Sequence, residues 1–66
     1  MQLIINGQPK QFAEPLNVSA LLQLLRLDSA HVAVELNRQV LLQEQFDSME
    51  LNHGDRLELI QFVGGG

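Results

Sequence analysis

The chain contains no cysteine, which excludes disulfides, cysteine–zinc sites and side-chain thiol chemistry. It has no basic excess either: Lys+Arg total 4 against 8 Asp+Glu, a formal charge of −4 at pH 7. Binding nucleic acid requires a basic patch that releases counterions, so nucleic acid is not an expected partner. A basic protein surface fits this charge better. No apolar run approaches the ~18 residues of a membrane span. Met1-Gln2-Leu3 lacks the positive n-region of a signal peptide, so the cytoplasm is the default expectation. HExxH, a Walker loop, GxGxxG and a nucleophile elbow are all missing.

What is present is a short globular composition: 66 residues, 45% hydrophobic and 18% charged. That length allows one small domain with a marginal core, burying roughly 60% of its unfolded surface. Residues 2–6 are a short apolar strand that stops at Asn6-Gly7. Asn-Gly favours a type I′ hairpin, because that turn needs φ > 0 at both central residues. Residues 8–12 return as a second strand, and Pro9, with no N–H to donate, places it at a sheet edge. Val18, Leu21, Leu22 and Leu25 fall on one helical face. Asn17 suits the N-cap of that helix, and Arg26 suits the negative end of its dipole.

Val32, Val34 and Leu36 alternate as the core face of a third strand. Asn37-Arg38 turns the chain into a fourth strand over residues 39–42, and residues 43–46 make one helical turn with Phe46 as a plug. Asn52-His53-Gly54-Asp55 is a turn cluster, and residues 56–63 are the last strand. The order β-β-α-β-β-β predicts an α+β two-layer fold. With the last strand beside the first and parallel to it, the mixed sheet is a β-grasp, or ubiquitin-like, sheet with one main helix packed on one face. Residues 1–63 form that domain and residues 64–66 a flexible Gly-Gly-Gly tail.

The side chains offer little chemistry. His31 and His53 lie in loops with no second ligand at metal spacing, so a solvated role is expected and no metal site. Ser19, Ser29 and Ser48 have no evident base, and Glu35 and Glu58 face outward for solubility. An independent active site needs a pocket of roughly 300 Å³ or more, which so short a chain can hardly enclose. The unusual feature is the tail. Residues 64–66 hold 3 of the 5 glycines. The plain reading is a frayed end or a purification scar; yet Phe62-Val63 is apolar up to the first glycine, where polar residues usually precede a frayed end. The functional reading is a side-chain-free segment that threads a channel in another enzyme. Its carboxylate would attack the α-phosphate of ATP, giving an acyl-adenylate open to a sulfur or nitrogen nucleophile.

The Asn6-Gly7 hairpin, the Val18-x-x-Leu21-Leu22 helix, Val32-Ala33-Val34-Glu35-x-Asn37, His53-Gly54-Asp55-x-Leu57-Glu58 and Phe62-Val63-Gly64-Gly65-Gly66 together resemble the ThiS family. These are sulfur-carrier proteins of thiamin biosynthesis. The resemblance implies a co-substrate and not an enzyme. No cofactor is bound, and ATP is used by the partner, an E1-like adenylating enzyme of the ThiF type. A cysteine desulfurase relay supplies sulfur, and a thiazole synthase of the ThiG type takes it up. By carry-over Gly66 bears the adenylate and then the thiocarboxylate, while Gly64 and Gly65 thread. Two stretches depart from the family pattern: Val40-Leu41-Leu42-Gln43 stands where Val-Pro-Arg is common, and His53-Gly54-Asp55 where Asp-Gly-Asp is common. The small subunit of molybdopterin synthase uses the same chemistry, but its tail usually carries prolines, which Phe62-Val63 lacks.

The last strand also breaks its own alternation. Leu57 and Leu59 suit the helix side, so Ile60 and Phe62 fall on the open face. An apolar patch there suggests that Ile60, Phe62 and Val63 dock on the partner enzymes. The alternative is that Phe62 folds over a curved sheet edge into the core. Two other functions stay open from the residues: a ubiquitin-like interaction module with an inert tail, and a modifier forming isopeptide bonds from the same adenylate.

Overall fold

The computed structural model describes residues 1–63. Five strands form one mixed sheet: β1 (Gln2–Ile5), β2 (Gln8–Gln11), β3 (Val32–Leu36), β4 (Gln39–Val40) and β5 (Arg56–Gln61), in the order β2-β1-β5-β3-β4. β1 and β5 are parallel, and the other neighbours are antiparallel. Helix α1 (Val18–Leu24) and two 3₁₀ turns, Ser29–His31 and Gln43–Gln45, are the other regular elements among the described residues. This is the expected β-grasp arrangement, with β2 and its Pro9 at one edge.

Alternation explains the core. Leu3 and Ile5 of β1, Val32 and Val34 of β3, and Leu57 and Leu59 of β5 are buried, together with Val18, Leu21 and Leu22 of α1. Phe46 is 3% exposed and plugs the core as expected, beside the buried Leu16, Leu41 and Leu51. Among the described residues no polar or charged residue is buried, so apolar burial, at about 25 cal/mol per Å², drives folding without the cost of burying a polar side chain.

Several expectations need correction. Arg26 does not sit in the last helical turn. It follows the C-cap, Leu25, at φ 59°. Its N–H donates to Gln23 O at 3.0 Å and that of Leu27 to Leu22 O at 2.8 Å, a Schellman closure with arginine where glycine is usual. β4 ends at Val40, not Leu42, because Leu41 turns inward while its N–H donates to Val34 O at 2.9 Å. Leu36 is only half-buried, since the chain turns at Asn37. β1, β2 and β5 are one or two residues shorter than expected. Phe12 still bonds Met1 O, and Phe62 still bonds His31 O.

Candidate docking surface at the end of β5

β5 lies between β1 and β3. Main-chain alternation sends the polar groups of even-numbered β5 residues toward β3. Thus Asn37 N–H meets Arg56 O at 2.8 Å, and Phe62 N–H meets His31 O at 2.9 Å. Odd-numbered residues face β1, where Asn6 N–H meets Leu57 O at 2.9 Å. The β1–β5 pairing stops there, because Asn6-Gly7 turns the chain back at φ 49° and 83°. The Asn6 side chain supplies the next rung. Its Oδ1 accepts from Leu59 N–H at 2.7 Å and its Nδ2 donates to Leu59 O at 3.2 Å.

Beyond Leu59 the surface becomes apolar. Ile60 is 63% exposed, Phe62 48% and Val63 96%. Phe62 lies outside the buried cluster, so the structure does not place it in the core. Its ring meets the His31 ring edge-on, with centroids 6.1 Å apart at 78°. His31 is held in turn: its Nδ1 is 3.0 Å from Asp28 Oδ2, and Ala30 N–H donates to Asp28 Oδ1 at 2.9 Å. The Ala30 bond, and then that of His31, hold the Asp28 carboxyl below its ordinary value. Asp28, His31, Gln61, Phe62 and Val63 line a depression at this point.

On the open face of the sheet, Ala33 lies opposite Ile60, and Glu35 lies opposite Glu58 and Val40. Glu35, Asn37, Arg38, Arg56 and Glu58 line a second depression there. The structure therefore brings Ile60, Phe62 and Val63 together in one exposed stretch. Gly64, Gly65 and Gly66 lie outside the described residues.

Sequence reasoning missed the partners of this stretch. His31 is not simply solvated, and its signal was the Asp28–His31 spacing of one turn. His53 is likewise engaged, its Nδ1 accepting from Gln2 N–H at 3.0 Å. Ser19 donates to the Asp47 carboxylate, tying the start of α1 to the following loop, with no histidine joined to the pair. Among the described residues no three His, Asp or Glu side chains gather as metal ligands, and no helix is long and apolar enough to cross a membrane.

The comparisons with known proteins cover the whole fold. A family model described as the ThiS family matches residues 3–66. The chain is similar to the sulfur carrier protein ThiS of Escherichia coli, 33% identical over 66 residues and covering 100% of both chains. It is 41% identical over 66 residues to a thiazole synthase of Paramagnetospirillum magneticum, and spans only 20% of that protein's length. Among solved structures, the thiamine biosynthesis protein ThiS of Geobacter metallireducens matches with a TM-score of 0.85 and 43% identity, each chain covered to 100%.

Proposed function

This chain belongs to the ThiS family, and on that premise we propose that it is a sulfur carrier for thiazole formation whose working group is the Gly66 carboxylate. One observation carries the proposal: the family match runs through the three glycines to residue 66. In the proposed sequence the carboxylate attacks the α-phosphorus of ATP on an E1-like adenylating enzyme, and pyrophosphate leaves. A persulfide of a cysteine desulfurase relay attacks the acyl carbon, and AMP leaves with its bonding electron pair. A second thiol of the relay then cleaves the acyl disulfide, forming a relay disulfide and releasing the carrier's thiocarboxylate. The resulting thiocarboxylate gives its sulfur to a thiazole synthase. That partner is supported by the thiazole synthase that carries a segment resembling this chain. The chain itself acts as co-substrate, and no side chain among the described residues is needed for bond making. Gly64 and Gly65 are assigned to threading, for which the absence of side chains suits a narrow channel.

Mass spectrometry of the C-terminal peptide tests this. The chain is incubated with the adenylating enzyme, ATP and sulfide. The expected result is replacement of one oxygen by sulfur, confined to residues 64–66, ATP-dependent and trapped by a thiol-alkylating reagent. Met1 and Met49 oxidation gives the same nominal shift, so localisation is essential. An unmodified tail, with a control carrier converted by the same enzyme, would favour the inert interaction module. Docking through Ile60, Phe62 and Val63 predicts that Phe62→Asp slows adenylation by about tenfold or more, as loss of a buried aromatic anchor does. Because Phe62 is half exposed and outside the core, its circular dichroism spectrum should stay unchanged.

A further inference from the structure

The strand edges of this sheet are not treated alike. β2, at one edge, carries Pro9 and the charged Lys10, and β4, at the other, is two residues long. Proline, charge and shortness all discourage pairing with another chain. The end of β5 has none of these guards. Gln61, Phe62 and Val63 include no proline and no charge. On the β3 side their edge is closed, with Val32 paired to Gln61 and Phe62 N–H bound to His31 O. On the β1 side the last rung is the Asn6 carboxamide on Leu59. The alternation that turns Leu57 and Leu59 toward β1 also turns Gln61 that way. Among the described residues no hydrogen bond reaches its N–H or C=O there.

We propose that this open edge, residues 61–63 on the side that β1 vacates, takes an extended segment of the adenylating enzyme as an added strand. The proposal rests on the carrier reading for the identity of the partner. Strand addition reads unpaired main-chain groups for affinity and flanking side chains for specificity. Both are present: the free Gln61 amide and carbonyl, and the exposed Ile60, Phe62 and Val63 beside them. The occupant is therefore an extended segment with apolar side chains that cover Phe62 and Ile60. Asn6 sets where internal pairing stops, and so where pairing with the partner starts. Strand pairing fixes position to about one residue, roughly 3.3 Å. Pairing at Val63 would thus place the start of the three glycines in register with the nucleotide site.

Hydrogen–deuterium exchange at single-residue resolution tests this on the full chain, alone and with a stoichiometric amount of the adenylating enzyme. In the free chain the Leu59 and Phe62 amides should exchange slowly, and Gln61 faster by about tenfold or more. In the complex the Gln61 amide should slow by a similar factor. A chemically synthesised chain with N-methylglutamine at position 61 removes the donor and spares the β3 ladder; its affinity should fall about tenfold, the usual scale for one hydrogen bond. Binding with Gln61 unprotected, or unchanged affinity of the N-methyl chain, overturns the proposal. Protection that grows with chain concentration without enzyme would assign the edge to a second copy and also overturn it. The carrier reading is scored separately, by sulfur at Gly66. Sulfur with Gln61 unprotected sinks the edge alone, whereas enzyme-dependent protection without sulfur sinks the carrier chemistry and upholds the edge.

Discussion

Two asparagine turns grip β5 from opposite sides, and they do it differently. Asn6-Gly7 closes β1–β2, and Asn37-Arg38 closes β3–β4. Both asparagines sit at φ 49°, followed by a second residue at 83° or 70°. This is the type I′ geometry that matches strand twist. Asn37 accepts from Arg56 N–H at 2.9 Å and donates to the Asp55 carboxylate at 3.0 Å, so it continues a ladder that already runs the length of β3. Asn6 spends both amide atoms on the main chain of one residue, Leu59, 53 positions away. On its side the parallel ladder has only two register pairs. The same residue in the same turn is an accessory in one place and a replacement strand in the other. A turn asparagine matters in proportion to the main-chain pairing its strand lacks.

Removing each carboxamide tests that claim most directly. Asn6→Ala loses two bonds, strands a part-buried Leu59 amide, and puts a Cβ residue without a local bond at positive φ. The expected loss is about 3 kcal/mol in urea unfolding, a large share of the roughly 3–10 kcal/mol a chain this size has. Asn37→Ala carries the same backbone penalty, but its partners are exposed and the ladder persists; about 1–2 kcal/mol is expected. Equal losses would break the comparison. Asn6→Asp sharpens it: the acceptor to Leu59 N–H remains while the donor to Leu59 O becomes a repulsive oxygen, so about 1–2 kcal/mol is expected.

The second positions of the turns give opposite signs. Gly7 has open space where a Cβ would sit, so Gly7→Ala meets no clash and is penalised only by its φ of 83°. About 1 kcal/mol of destabilisation is expected. Arg38 already bears that strain at 70°, so Arg38→Gly should stabilise by up to about 1 kcal/mol, less the entropy of ordering glycine. Thermal unfolding of the two variants should move the midpoint in opposite directions.

These residues also mark how far the sequence could be read. The order of elements followed from local signals: Asn-Gly, the 32–36 alternation, the Val18-Leu21-Leu22 face and the final apolar strand. The edge position of β2 was legible in Pro9 and the plug in Phe46, whereas the seating of the last strand beside the first entered as the condition for a β-grasp sheet. The exposed Ile60, Phe62 and Val63 were visible as broken alternation. Features that depend on non-local geometry were not. Asn6 looked like a turn residue only, since its bond to Leu59 exists once β5 is seated beside β1. Arg26 and Arg38 adopt positive φ without being glycine, and nothing local announces that. The hold of Asp28 and His31 on Phe62 likewise needs β3 and β5 side by side.

The smallest effect belongs to that third fastening of β5, at the end away from the turns. Asp28 is exposed, and its carboxyl is held below the ordinary 3.8 first by the Ala30 amide and then by His31. A carboxyl whose folded pKa is depressed contributes stability that is complete above its unfolded pKa. That contribution is lost as pH falls through the lower, folded value. Stability measured by urea unfolding from pH 6 down to pH 2 should therefore fall below about pH 4, and Asp28→Asn should flatten part of that fall. Asn keeps an acceptor for the Ala30 N–H but removes the charge beside His31, so the variant should fold normally at pH 7. If the slope below pH 4 is unchanged in Asp28→Asn, the pair does not anchor Phe62 electrostatically. The end of β5 is then held on the β3 side by the Phe62–His31 main-chain bond and the edge-on contact of their rings, against one carboxamide on the Asn6 side.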